Sequence, residues 1–312
     1  MIVLSFAVVL AVCAGATLIG RWAIERSYPP AGRFVDVDGG RLHVVELGPA
    51  DAPPVLLLHG ASGNLGDIRL ALGERLAARY RVILVDRPGH GWSDRPDGAE
   101  DASPARQAAL IRQALTNIGV TKSIVVGHSW SGALATAYTL AYPDAVSGLV
   151  LLAAVTHPWP GGVAWINNLV ATPVIGPLVA HTVILPLGYF LVRPGVEAVF
   201  SPEVPPPDYV ERTGTRMILR PNEFIANAQD LAGLKAFVTA QAPRYGEIKV
   251  PVAIIAGDAD RVVYTNIHSR GIYKMLPDAT LTVLPGVGHM VQFAAADLVV
   301  KAIDEVAKKG KQ

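Results

Sequence analysis

Ser123-Ile124-Val125-Val126-Gly127-His128-Ser129-Trp130-Ser131-Gly132-Ala133 is the stretch on which the fold turns. Ile124 to Val126 reads as a strand buried on both faces. The alanine-rich continuation, with Ala133, Ala135 and Ala137, reads as a helix able to lie close to a sheet. No loop separates the two, so Ser129 sits on a sharp strand-to-helix turn. Such a turn needs small residues two positions before and after the serine, and Gly127 and Ser131 are both small. The start of a helix also presents free backbone N–H groups and the positive end of its dipole, a place where a developing oxyanion is stabilised. A serine that merely caps an ordinary helix would look the same in isolation, so its surroundings decide.

Working outward, apolar runs of strand length recur at Val55 to Leu58, Val82 to Val85, Leu149 to Leu152, Val252 to Ile255 and Leu281 to Leu284. Helical patterns over 65–79, 102–118, 130–142, 265–275 and 290–308 alternate with them. Continuous Val/Ile/Leu strands alternating with helices predict a buried, mostly parallel sheet covered by helices. Ahead of it, Phe34-Val35-Asp36-Val37, Asp38-Gly39-Gly40 and Leu42-His43-Val44-Val45 read as a hairpin whose glycines supply the turn. The total is eight strands. The alternation stops over about 155–247, which is rich in proline and in apolar segments. Within it, 172–192 is nearly uncharged but holds Pro173, Pro177 and Pro186. A second membrane span and a set of short helices both suit that composition. Short helices are expected, because proline inside a helix costs about 3 kcal/mol. The region reads as a helical cap inserted between sheet strands.

The first twenty residues, MIVLSFAVVLAVCAGATLIG, carry no charged side chain and are followed by Arg21, Glu25 and Arg26. About 20 apolar residues at 1.5 Å rise span a hydrocarbon core of roughly 30 Å. Residues 1–26 are therefore expected to be a membrane anchor and 27–312 the domain that holds the sheet and its inserted cap. A cleaved signal peptide, with Ala14-Gly15-Ala16 as its processing site, is the competing reading, but no Lys or Arg precedes the apolar run. Arg21 and Arg26 bias that flank weakly towards the cytoplasmic side. Counting Gly and leaving out Tyr, about 58% of the chain is apolar, above the roughly 45–50% usual for soluble domains. A net charge of +1 gives no electrostatic case for a nucleic-acid partner. The lone Cys13 excludes an intramolecular disulfide and a cysteine-based metal cluster.

From Phe34 to Lys308 the chain resembles the serine branch of the α/β-hydrolase family. The elbow of that family is Gly-x-Ser-x-Gly; here Ser131 replaces the last glycine and Gly132 follows it. His59-Gly60-Ala61-Ser62-Gly63, after the first buried strand, matches the family's oxyanion loop. The resemblance implies the backbone N–H groups of Ala61 and Trp130 as the oxyanion hole. Asp86-Arg87-Pro88-Gly89-His90-Gly91-Trp92-Ser93 resembles a glycine-rich turn that serves shape. Ile254-Ile255-Ala256-Gly257-Asp258-Ala259-Asp260-Arg261-Val262-Val263 ends a strand with two carboxylates. The family's spacing selects Asp260, with Asp258 as the alternative. Leu284-Pro285-Gly286-Val287-Gly288-His289 places a histidine after the last strand. Ser129, Asp260 and His289 then stand in the chain order Ser…Asp…His of this fold. His59 and His128 are read as structural.

The resemblance implies a serine hydrolase that needs neither cofactor nor metal. A carboxylesterase or lipase acting on a small or medium apolar acyl ester is expected. The same parts also serve amidases, C–C hydrolases and acyltransferases, and a non-catalytic ligand-binding member could keep them. A serine at the elbow argues against the dehalogenases and most epoxide hydrolases of the family, which use aspartate. The expected partners are the small-molecule substrate and a membrane, reached through the N-terminal helix and through the cap.

Overall fold

A computed structural model describes residues 2–310. The eight expected strands are β1 (Arg33–Val37), β2 (Gly40–Leu47), β3 (Pro54–Leu58), β4 (Arg81–Val85), β5 (Ser123–His128), β6 (Val146–Leu152), β7 (Val252–Gly257) and β8 (Ala279–Leu284). They form one sheet in the order β1-β2-β4-β3-β5-β6-β7-β8. The β1–β2 hairpin joins β4 antiparallel through β2, and β3 to β8 run parallel to β4. Successive side chains on a strand point to opposite faces, and the sheet divides accordingly. Leu56, Leu58, Val125, Leu149, Leu151 and Ile254 enter one core. Val55, Leu57, Ile124, Val126, Val150, Leu152 and Ile255 enter the other. Each fully buried aliphatic side chain contributes about 1.5–3 kcal/mol, so the central strands tolerate no polar face.

The helices follow the expected alternation with local differences. The 65–79 pattern is interrupted by a π-helical turn at Arg69–Gly73. Over 265–275 only Ser269–Tyr273 is helical. The residues ahead of it are held by the acid loop, since the Thr265 hydroxyl donates to the Gly257 carbonyl. The 290–308 pattern splits at Ala295 into Val291–Ala294 and Ala296–Lys309.

Between β6 and β7 the chain is helical and departs further from expectation. Its proline content predicts short, broken helices, yet Ile175–Phe200 is helical throughout, and Pro221–Gln241 is a single 21-residue helix. A π-helical turn, Ala180–Ile184, precedes Pro186, which lies in the first turn of Leu185–Phe200. Pro186 has no N–H for the Thr182 carbonyl four residues back. Thr17 Oγ1 of the N-terminal helix (Ile2–Ser27) donates to that carbonyl at 3.4 Å. The proline defect is thus met by another element, which no reading of the local sequence foresees. Among the described residues two helices, Val8–Ser27 and Ile175–Phe200, are long and apolar enough to cross a membrane.

Candidate active site

The carboxyl ends of parallel strands are where open α/β sheets place ligands, and the predicted residues collect there. Ser129 follows β5 with φ +54°, a left-handed conformation that is strained for any residue with a Cβ. Close approach of the neighbouring backbone holds it there. A Cβ at Gly127 would stand 2.8 Å from that of Ala135, so glycine alone lets the following helix fold back on β5. The Ser129 N–H donates to the Leu152 carbonyl at 2.9 Å, which fixes the turn to β6. Ser131, the departure from the family pattern, contributes as well. Its hydroxyl donates to the His59 carbonyl and ties the elbow to the oxyanion loop.

His289 Nε2 lies 2.9 Å from Ser129 Oγ, and His289 Nδ1 lies 2.8 Å from Asp260 Oδ2. All three side chains are buried. A carboxylate only accepts, so Nδ1 carries the hydrogen and the Nε2 lone pair faces the serine hydroxyl. Asp260 is itself oriented, because Oδ1 accepts the N–H groups of Val262 at 2.8 Å and Val263 at 2.9 Å. Asp258, the alternative acid, is turned elsewhere and accepts the Gly286 N–H at 2.6 Å. Among the described residues neither the Ala61 nor the Trp130 N–H donates to a protein acceptor, leaving two donors beside Ser129.

The neighbouring histidines serve structure. His59 Nε2 accepts the Arg87 N–H at 3.0 Å while Nδ1 donates to the Gly60 carbonyl. Burial, helped by the Arg87 charge, pushes its pKa down to about 3. Burial and the nearby His289 hold His128 well below the usual imidazole range. Both rings are therefore neutral at physiological pH. Among the described residues no group of three or more His, Cys, Asp or Glu is placed to hold a metal ion.

Several residues of this region carry no local sequence signal. Asn227, on Pro221–Gln241, accepts the Ser62 N–H at 2.7 Å through Oδ1 and donates to Ser62 Oγ at 3.2 Å. This steadies the loop in which Ser62 takes φ +55°. Three positions on, Asp230 takes Arg87 at 2.6 Å and Arg95 at 2.9 Å. The Arg87 guanidinium also lies 4.0 Å from the centre of the Trp130 ring. Glu203 accepts the Gly288 N–H, at 3.1 Å to its nearer oxygen, one residue before His289. A Cβ at Gly288 would come 3.0 Å from that same oxygen. Asp67 takes the Tyr209 hydroxyl at 2.7 Å. Burial raises its pKa to about 6, opposed by that hydrogen bond. Each pair joins residues far apart in the chain, 85 positions for Glu203 and Gly288 and 165 for Asn227 and Ser62, so only the fold reveals them.

Residues 53–296 match the family profile described as the alpha/beta hydrolase fold. The chain is 31% identical over 267 residues to the magnesium-chelatase 30 kDa subunit of Rhodobacter capsulatus, covering 81% of this chain and 86% of that protein. It is 28% identical over 270 residues to 2-hydroxy-6-oxo-6-phenylhexa-2,4-dienoate hydrolase of Burkholderia cepacia, covering 82% and 87%. Among solved structures, a bacterial membrane phospholipase A superposes with a TM-score of 0.69 at 22% identity, covering 98% of this chain and 96% of the other.

Proposed function

This chain belongs to the α/β-hydrolase family, and from that premise we propose that it is a serine-dependent hydrolase of apolar carboxylic esters, held at a membrane by its N-terminal helix. The observation that carries the reading is the hydrogen-bonded line Ser129–His289–Asp260 beside two uncommitted N–H groups. In the proposed reaction His289 Nε2 takes the Ser129 proton as Oγ attacks the ester carbonyl. Asp260 keeps the imidazole in the required tautomer and stabilises the imidazolium. The tetrahedral oxyanion is received by the N–H groups of Ala61 and Trp130, each donor worth about 3 kcal/mol of barrier. His289 returns its proton to the leaving alkoxide, and water, activated the same way, releases the acid from the acyl-enzyme.

The relatives favour one other reading, hydrolysis of a C–C bond in a dienoate. Such a substrate is a carboxylate and calls for a free cation in its pocket. Here the least exposed guanidiniums are already committed, Arg87 and Arg95 to Asp230 and Arg220 to Glu223. An uncharged ester is therefore the better match. Labelling the full-length protein with a fluorophosphonate, followed by turnover of p-nitrophenyl esters of increasing chain length, tests the reading. Stoichiometric labelling and a kcat/KM that rises from acetate towards octanoate are expected. Each methylene is worth about 0.8 kcal/mol at best. Absence of labelling and turnover would overturn it.

A further inference from the structure

The outer side of the insertion is apolar without cover. Val174, Ile175, Leu178, Leu187, Phe190 and Leu191 are exposed, Val174 at 82% and Phe190 at 76%. The inner side of the same helical run is buried, with Ala180, Ile184 and Leu185 packed on Met217, Leu219 and Ala228. Soluble monomers seldom expose apolar patches larger than a few hundred Å², and larger ones mark an interaction surface.

The N-terminal helix identifies the partner. It packs directly on this run: Thr17 meets Thr182, a Cβ at Gly20 would lie 2.5 Å from Leu185 Cδ2, and Ile24 is 6% exposed in the same cluster. Gly20 closes the uncharged stretch and Arg21 opens the charged one. At 1.5 Å rise per residue, Thr17 lies roughly 4–5 Å on the hydrocarbon side of Gly20. Whatever touches Thr17 lies at the same depth. The two contacts also advance together, 17 to 20 against 182 to 185, so Ile175–Val179 leads back alongside the deeper part of the anchor.

Resting on the reading of the N-terminal helix as a membrane span, we propose that Ile175–Phe200 rests beside the anchor with its outer face against the acyl chains of the same bilayer, and that the active site takes its acyl ester from the lipid phase. Only the outer face is free to meet lipid, because the inner face is fastened. It packs on Pro221–Gln241, and that helix is pinned to the catalytic floor through Asp230–Arg87 and Asn227–Ser62. Pro221–Gln241 links the lipid-facing segment to the catalytic floor. It touches the oxyanion loop at Ser62 and the 175–184 segment at another part of its surface, a helix-packing distance of about 8–10 Å.

The test uses the full-length protein in phosphatidylcholine vesicles whose acyl chains carry doxyl quenchers. An environment-sensitive fluorophore is attached at native Cys13 on the anchor. It is attached separately at Leu178→Cys and Lys301→Cys in a Cys13→Ser background. Leu178 and Lys301 are both exposed, so folding is preserved, and turnover of a water-soluble ester on the same samples tests the hydrolase reading by itself. Labels at 13 and 178 are expected to lose most of their emission, and the label at 301 to keep it. Quenching at 13 without quenching at 178 overturns the lipid-contact proposal and leaves the anchor standing. Quenching at neither overturns both.

Discussion

Among the described residues two buried histidines hydrogen-bond an aspartate, and the two pairs are set up for opposite tasks. His289 Nδ1 is 2.8 Å from Asp260 and His43 Nδ1 is 2.7 Å from Asp86, both pairs almost wholly buried. The difference is what the second ring nitrogen meets. For His289 it is the Ser129 hydroxyl, a group that can donate to it. For His43, on β2, it is the Ala31 carbonyl, which can only accept. A ring that must donate from both nitrogens is an imidazolium. Burial lowers the His43 pKa, but the Asp86 hydrogen bond, its charge and the Ala31 carbonyl together outweigh it and leave a net rise. Similar carboxylate geometry thus serves the proposed base in one place and a structural ion pair in the other. The third partner decides.

The largest effects should fall on the first pair. Ser129→Ala is expected to lower kcat by about 10⁶ and to abolish fluorophosphonate labelling. A variant that still labels stoichiometrically would remove Ser129 from the mechanism. Asp260→Asn should lower kcat by about 10⁴, through the wrong imidazole tautomer. Its stability should be nearly unchanged, because the amide oxygen still accepts from Val262 and Val263. Asp258→Asn should stay close to wild type in rate. A reversal between the two aspartates, read from the same steady-state assay, would move the acid.

The second pair should answer the same substitution in stability instead of rate. Asp86 holds His43 and also accepts the N–H groups of Leu65 at 2.8 Å and Trp92 at 2.9 Å. Asp86→Asn leaves a buried imidazolium without its counter-ion, a loss of about 3–5 kcal/mol. Urea unfolding should show it as a lower midpoint, while kcat per folded molecule stays within a few-fold of wild type. Loss of kcat at full stability would erase the distinction between the two pairs.

The contrast also explains what the sequence discloses. The triad is legible because each member sits at a strand end that hydrophobic periodicity locates, and because Gly127, Gly257 and Gly288 mark close backbone approach. The sheet is legible for the same reason, since buried parallel strands permit only apolar residues. His43 looks like one more alternating residue of a hairpin. Asp230, Asn227 and Glu203 sit in a region where composition alone predicts broken helices. Their partners lie across the fold, and a side chain that acts through a distant contact leaves no period or motif.

Glu203 allows a smaller test of how firmly the His289 loop must be held. Glu203→Ala removes the acceptor of the Gly288 N–H, a hydrogen bond worth about 1–1.5 kcal/mol. About a tenfold fall in kcat with little change in KM is expected, since about 1.4 kcal/mol is tenfold. Glu203→Gln keeps an acceptor oxygen and should recover most of the rate. A Gln variant as slow as the Ala variant would mean that the carboxylate charge, and not the hydrogen bond, is what His289 needs.

The smallest effect is a slope in stability against pH, and its sign separates His43 from the other buried histidines. For His59, His90, His128, His157 and His268 the folded pKa is lowered, chiefly by burial. The unfolded chain therefore binds more protons, and stability rises with pH until it levels off above the unfolded value near 6.5. His43 is raised, so its contribution is complete below about 6.5 and is lost as pH climbs through the folded value. Asp67, raised to about 6 from 3.8, also works in that falling sense, but its window closes near pH 6. The raised tyrosines act only above about pH 10. Glu223, raised by burial against the pull of Arg220, also works in the falling sense, from its unfolded value near 4.5 upward. Urea midpoints should decline as pH rises above about 6.5, and His43→Gln should remove the His43 part of the decline while lowering the plateau. If the slope survives the substitution unchanged, His43 is not the doubly donating ring, and the two pairs differ less than their geometry implies.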